Sequence, residues 1–149
     1  MMFRLTAALR RARIFPALRH AAFAASAVLA GLFAADAALA DARGIDLGIA
    51  DSRAVEVSGH ADSLRVLLAN LIDNALRYTP AGGRVDLAVD VDASSGHAVV
   101  SVSDNGPGIP PEVRTRVFDR FVRGDQQSIP GSGLGLSIVK QVARLHAGE

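Results

Sequence analysis

The chain contains no cysteine and no tryptophan. The first absence excludes a disulfide scaffold, a thiolate metal site and a cysteine nucleophile. Aromatic residues make up only 5% of the chain, and no stripe of basic residues runs through its body, so nucleic acid is disfavoured as a partner. Its four histidines are scattered and lack the H-E-x-x-H spacing of a zinc site. No internal repeat is visible. What remains is 149 residues, half of them hydrophobic and 21% charged, with 14 glycines. That is the composition of one globular domain with a real core.

Charge is distributed unevenly. Residues 1–40 carry Arg4, Arg10, Arg11, Arg13 and Arg19 against Asp36 alone, while residues 41–149 carry 11 basic and 14 acidic side chains. The basic stretch is followed by uncharged AAFAASAVLAGLFAA and then by Ala38-Leu39-Ala40. That order has the form of a secretory signal. The uncharged run is shorter than the roughly 20 residues a membrane span needs, and alanine is the best helix former. Residues 1–40 therefore read as a basic, then alanine-rich segment: a helix leading into the domain, a miscalled start, or a signal or anchor. The domain proper is expected over 41–149.

From residue 41 the pattern is regular. Ile45 to Ile49 and Ala54 to Val57 read as short strands. Asp62 is the expected N-cap of a helix over 62–78, with Leu64, Leu67, Leu68, Leu71, Ile72 and Ala75 at helical spacing. Pro80-Ala81-Gly82-Gly83 ends it. Val85, Leu87, Val89 and Val91 alternate with polar residues on a strand, and Ala98, Val100 and Val102 form its antiparallel neighbour across a turn at 94–96. A short helix over 111–121 and a last helix over 134–146 follow. One sheet and one set of helices make a two-layer α+β sandwich.

Three features carry chemistry. On the first strong helix, Asn74 and Arg77 lie within roughly 40° of Asn70 on a helical projection, and Asp73 within roughly 60°, opposite the apolar stripe. Two mid-helix asparagines are poor helix formers and cost stability unless they find a partner. Asp104-Asn105-Gly106-Pro107-Gly108 follows a strand; its glycines let backbone approach a flat ligand, and Asp104 can accept a hydrogen bond from an exocyclic amine. Gly131-Ser132-Gly133-Leu134-Gly135 opens the last helix, where free N–H groups and the helix dipole favour an anion. It is neither a Walker A loop nor a Rossmann fingerprint. Each glycine loop alone is weak; their order is informative.

LLANLIDNALRYTP, DNGPGIP, VFDRFVRGD and GSGLGLSIVK resemble, in order and spacing, the N box, first glycine box, F box and second glycine box of sensor histidine kinases. The resemblance covers roughly residues 41–149. It implies the ATP-binding domain of the Bergerat (GHKL) fold, a mixed sheet backed by helices, with ATP and magnesium between the N-box helix and a lid. It further implies that Asn70 holds the magnesium, that Asn74 supports it and that Arg77 neutralises phosphate. Tyr78 would pack beside adenine and Asp104 bind its amino group, with Gly106 and Gly108 against the base. Phe118 and Phe121 would anchor the lid and Arg123 reach the γ-phosphate. Gly131, Gly133, Leu134 and Gly135 would present backbone to phosphate.

The resemblance also implies a cytoplasmic domain that passes phosphate to a histidine on a separate dimerisation domain, and thence to a response regulator, in membrane-anchored homodimers. The phosphoacceptor box has no counterpart in these 149 residues, so the chain alone is expected to be inactive. The family continues past a His-Gly-Gly turn into two further strands, whereas this sequence ends His146-Ala147-Gly148-Glu149. The last two strands are therefore expected to be missing and a sheet edge to lie bare. The alternatives are an ATP hydrolase of the same fold, an anti-sigma serine kinase, or a non-catalytic nucleotide-binding remnant. Hydrolases of this fold resemble one another in a water-activating glutamate four residues before the first asparagine; here that position is Val66.

Overall fold

Alternating valine and leucine in the middle of the chain builds the central hairpin. Strands β5 (Arg84–Val91) and β6 (Ala98–Asp104) pair antiparallel in an unbroken register from Val85↔Asp104 to Val91↔Ala98. The structure, a computed structural model, describes residues 3–9, 22–122, 131–146 and 148. Its other elements are β1 (Phe3–Leu9), β2 (Ala22–Ala24), α1 (Ala25–Ala42), β3 (Asp46–Ser52), β4 (Glu56–Ser58), α2 (Ala61–Tyr78), α3 (Pro111–Arg114) and α4 (Gly135–Leu145). The main sheet has the order β1-β6-β5-β3, with β3 parallel to β5 and the other pairs antiparallel, and β2 pairs with β4. This is the mixed sheet of an α+β sandwich.

One face of the sheet is apolar. Val85, Leu87, Val89, Val100 and Val102 are buried with Leu64, Leu67, Leu68, Leu71 and Ile72 of α2 and Val139, Val142 and Ala143 of α4. Each large side chain so buried contributes about 1.5–3 kcal/mol. At the hairpin turn the Asp92 carboxylate accepts bonds from the N–H and hydroxyl groups of Ser94 and Ser95 at 2.6–3.0 Å. Those bonds, the Ser94 hydroxyl foremost, hold its pKa far below the ordinary carboxylate range.

The N-terminal region contributes a strand and a helix. Residues 3–9 form strand β1, which pairs with β6 over seven positions from Phe3↔Asp104 to Leu9↔Ala98. β6 is therefore paired on both sides, by β1 and by β5. The reason is legible in FRLTAAL, where Phe3, Leu5, Ala7 and Leu9 alternate with Arg4, Thr6 and Ala8 at the period of a strand. The division expected at residue 40 falls inside α1. That helix is long and apolar enough to cross a membrane by length and composition, yet Ala25, Val28, Leu29 and Ala40 are buried in the same core as α2 and the sheet. Arg43, just past its end, donates to the Leu76 carbonyl at 3.1 Å.

Two smaller corrections follow from packing. His60, not Asp62, is the N-cap of α2, and Asp62 lies in the first turn, where its charge suits the helix dipole. The helix expected over 111–121 is a single turn followed by irregular turns. None of its residues is buried, and a short helix without an apolar face to pack is marginal.

Candidate nucleotide-binding site

The polar face of α2 meets the start of α4. Asn70 donates through Nδ2 to the Val66 carbonyl at 2.7 Å, which leaves Oδ1 as a free-facing acceptor. A Cβ built on Gly135 would stand 3.1 Å from Asn70 Oδ1 and 3.6 Å from Asn74 Nδ2. The first residue of α4 thus lies close against Asn70 and in ordinary contact with Asn74. Arg77 pairs with Asp73 at 2.5 Å, and a Cβ on Gly131 would lie 3.0 Å from Arg77 Nη1. Gly133, at φ +69°, accepts the Phe121 N–H at 2.9 Å. Two motifs far apart in sequence therefore face each other across one gap.

The other end of the gap is the loop after β6. Asp104 is half-buried, and its Oδ1 accepts the Gly106 N–H at 2.9 Å, leaving Oδ2 for another donor. Burial pushes its pKa above the ordinary carboxylate value, and the Gly106 bond partly opposes that rise. Gly106 is buried, and a Cβ there would stand 3.0 Å from the Tyr78 carbonyl oxygen. Gly108 takes φ +76°, a left-handed conformation that favours glycine.

Between these ends lies a cavity of about 630 Å³. Asn70, Asn74, Arg77, Tyr78, Asp104, Gly108, Gly131, Gly133 and Gly135 all line it. Gly106 sits behind the wall, where it holds Asp104, and Leu134 is the N-cap of α4, its carbonyl accepting the Ser137 hydroxyl at 2.8 Å. Arg123 lies outside the described residues. Phe118 and Phe121 do not line the cavity; Phe118 lies under Lys140 Nζ at 5.8 Å and Phe121 is 72% exposed. Sequence reasoning missed Pro107, Ile109, Val113, Arg114 and Leu136 in the lining. Arg114 is the most telling of these, a cation whose Nε donates to the Ile109 carbonyl at 2.8 Å. Its only signal was its place one turn after Pro110-Pro111.

The cavity falls in the size range of cofactor sites, apolar with a few convergent polar groups. Asp104 suits an adenine amine, and Asn70 Oδ1 beside the Gly135 cradle suits a metal-bearing triphosphate. Among the described residues no group of three acidic, histidine or cysteine side chains could hold a metal by itself.

Comparison with known proteins agrees. Residues 59–149 match the model of the histidine kinase-, DNA gyrase B- and HSP90-like ATPase family. The chain belongs to that family. It is 50% identical over 95 residues to the signal transduction histidine-protein kinase/phosphatase MprB of Mycolicibacterium vanbaalenii, covering 62% of this chain and 19% of that protein. It is 50% identical over 87 residues to the sensor protein kinase PmrB of Pseudomonas aeruginosa, covering 58% and 18%. The chain thus spans about a fifth of the length of these relatives. A solved mycobacterial sensor histidine kinase MprB superposes with a TM-score of 0.73 at 36% identity, covering 87% of this chain and 82% of that one. That coverage is more of the chain than residues 41–149 make up. The catalytic domain of histidine kinase ThkA, at 23% identity and a TM-score of 0.73, shares the fold. As a family member, the chain has the ATP-binding catalytic domain of sensor histidine kinases.

Proposed function

We propose that the cavity holds Mg-ATP for phosphoryl transfer to a histidine on a dimerisation domain. The observation that carries this reading is the convergence of Asn70, Asn74 and Arg77 with Gly131 and Gly135 at one end of a cavity whose other end presents Asp104. Bound ATP supplies the transferable phosphoryl group, and magnesium neutralises part of its charge. Asp104 would accept a hydrogen bond from the adenine amine, Asn70 Oδ1 would hold the metal, and Arg77 and Arg114 line the cavity where they can balance phosphate charge. The backbone of 131–135 extends that contact. Such a domain acts by positioning and electrostatics and needs no covalent chemistry of its own.

Val66, 47% exposed one turn before Asn70, offers no carboxylate to activate water. Transfer to a histidine therefore fits this site better than hydrolysis. The partners of that reaction are a phosphoacceptor dimerisation domain and, through it, a response regulator. The domain works where ATP is, in the cytoplasm, and α1 packs against its core. Support for the last point is the burial of Val28, Leu29 and Ala40 against the shared core.

The test is to incubate the chain with γ-labelled ATP and magnesium, alone and with a kinase dimerisation domain added in trans. Acid-labile label on the added domain only is the expected result. Label on the chain itself, or phosphate release without transfer, contradicts it.

A further inference from the structure

The loop that carries Asp104 is fastened by a residue the site itself does not use. Asn105 Oδ1 accepts the Arg84 N–H at 2.8 Å, and the Asn105 N–H donates to the Arg84 carbonyl at 3.2 Å. Both backbone groups of Arg84, the first residue of β5, are thereby tied to one residue of the loop. The register explains why. The last backbone pair of the hairpin is Val85↔Asp104, and beyond it the chain turns away toward Gly106. The side-chain carbonyl of Asn105 takes the place of the backbone acceptor that the turning strand no longer offers.

Room for this clamp comes from Gly83. A Cβ there would lie 2.8 Å from Asn105 Oδ1 and 2.8 Å from the Pro80 carbonyl oxygen, inside van der Waals contact. On the other side of the clamp, Gly106 donates to Asp104 Oδ1 and abuts the Tyr78 carbonyl. Asn105 therefore stands between the end of α2, the start of β5 and the carboxylate that faces the cavity. It is exposed and absent from the cavity wall, so it contributes no ligand contact of its own.

We infer that Asn105 is the positioning residue for base recognition: it holds the loop so that Asp104 meets adenine at hydrogen-bonding geometry. This rests on the nucleotide reading above. A misplaced donor–acceptor pair loses strength steeply with distance and angle, so loosening the clamp acts on adenine selectivity through Asp104 without removing any contact atom. A merely structural role would lower stability and leave selectivity untouched. Asp92, which fastens the far turn of the same hairpin through Ser94 and Ser95, supplies that contrast.

The experiment uses the full chain and three variants, Asn105→Ala, Asn105→Asp and Asp92→Ala. Amide hydrogen exchange at Arg84 and Gly106 is followed without nucleotide, and ATP and GTP are titrated separately. In Asn105→Ala, exchange at both amides should quicken, ATP affinity should fall about fivefold, the scale of one hydrogen bond, and the ATP-to-GTP preference should shrink toward unity. Asn105→Asp, which keeps the acceptor oxygen, should restore slow exchange at both amides. Asp92→Ala should lower the melting temperature and leave the preference unchanged. Unaltered exchange at Arg84 and Gly106 in Asn105→Ala, or an unaltered preference, overturns the assignment. A wild-type chain that binds neither nucleotide overturns the nucleotide reading instead, and the exchange rates still decide whether Asn105 holds the loop.

Discussion

The two ends of the cavity are built in different ways. At the adenine end, Asp104 closes a strand that is paired on both sides, by β1 and by β5, and the next two residues, Asn105 and Gly106, are tied back to Arg84 and to Asp104 itself. At the phosphate end, the working groups are side chains on one helix face, set against a glycine-rich stretch that approaches them because it lacks Cβ atoms. The first end is a product of backbone ladders and the second of side-chain reach and small residues. Damage to the ladder should therefore change which base is bound. Damage to the phosphate end should change how tightly Mg-nucleotide is bound, whatever the base.

The largest effect should come from the ladder itself. Deleting residues 1–10 removes one partner of β6 across seven positions, and net hydrogen bonds worth about 0.5–1.5 kcal/mol each, near one per position, make a total loss of roughly 3–10 kcal/mol. The exposed edge then favours association. Denaturant unfolding and light scattering check both; a variant as stable and monomeric as the parent would remove β1 from the account. Next is Asp104→Ala, expected to weaken ATP binding by about 1.5–3 kcal/mol, the range for a bond to a charged group, and to erase preference over GTP. Calorimetric titration with each nucleotide reads this.

Asn70→Ala should cost about tenfold in Mg-ATP affinity, near the upper end for one lost polar contact. It should leave the ATP-to-GTP ratio alone, so a changed ratio would dissolve the distinction between the ends. The smallest effect is in pH. Because the Asp104 pKa is raised in the folded chain, the native state binds more protons than the unfolded state just above the ordinary carboxylate range. The stability from this group is present below its unfolded pKa and is lost as pH rises through its folded pKa. The adenine amine favours the ionised form, so ATP affinity should decline as pH falls through the same window. Asp104→Asn should flatten both trends, as thermal melts and titrations across the acidic range would show.

Much of this was legible in the sequence. Period-two valines announced β5 and β6, and the leucines of α2 announced its buried face, because half-buried elements must alternate at their own period. The order of the four motifs located the cavity, and nine of the residues expected in it line it. What was not legible depended on distant partners. FRLTAAL has a strand's alternation, but Arg4 and the arginines and alanines that follow also fit a targeting segment, and pairing with β6 is a long-range contact that local pattern does not show. The helix after Pro110 ended early because none of its residues is fully buried, Val113 being only half-covered at the cavity wall. Arg114 entered the wall because its guanidinium turns back onto Ile109, a contact no spacing rule predicts.

The most direct test of the central claim is a titration of the intact chain with the Mg complexes of a non-hydrolysable ATP analogue and its guanine counterpart. Binding should be saturable at one site and tighter for adenine than for guanine, with a melting temperature that rises with ligand concentration as binding to the native state requires. No saturable binding, or equal affinity for the two bases with Asp104 intact, would contradict it.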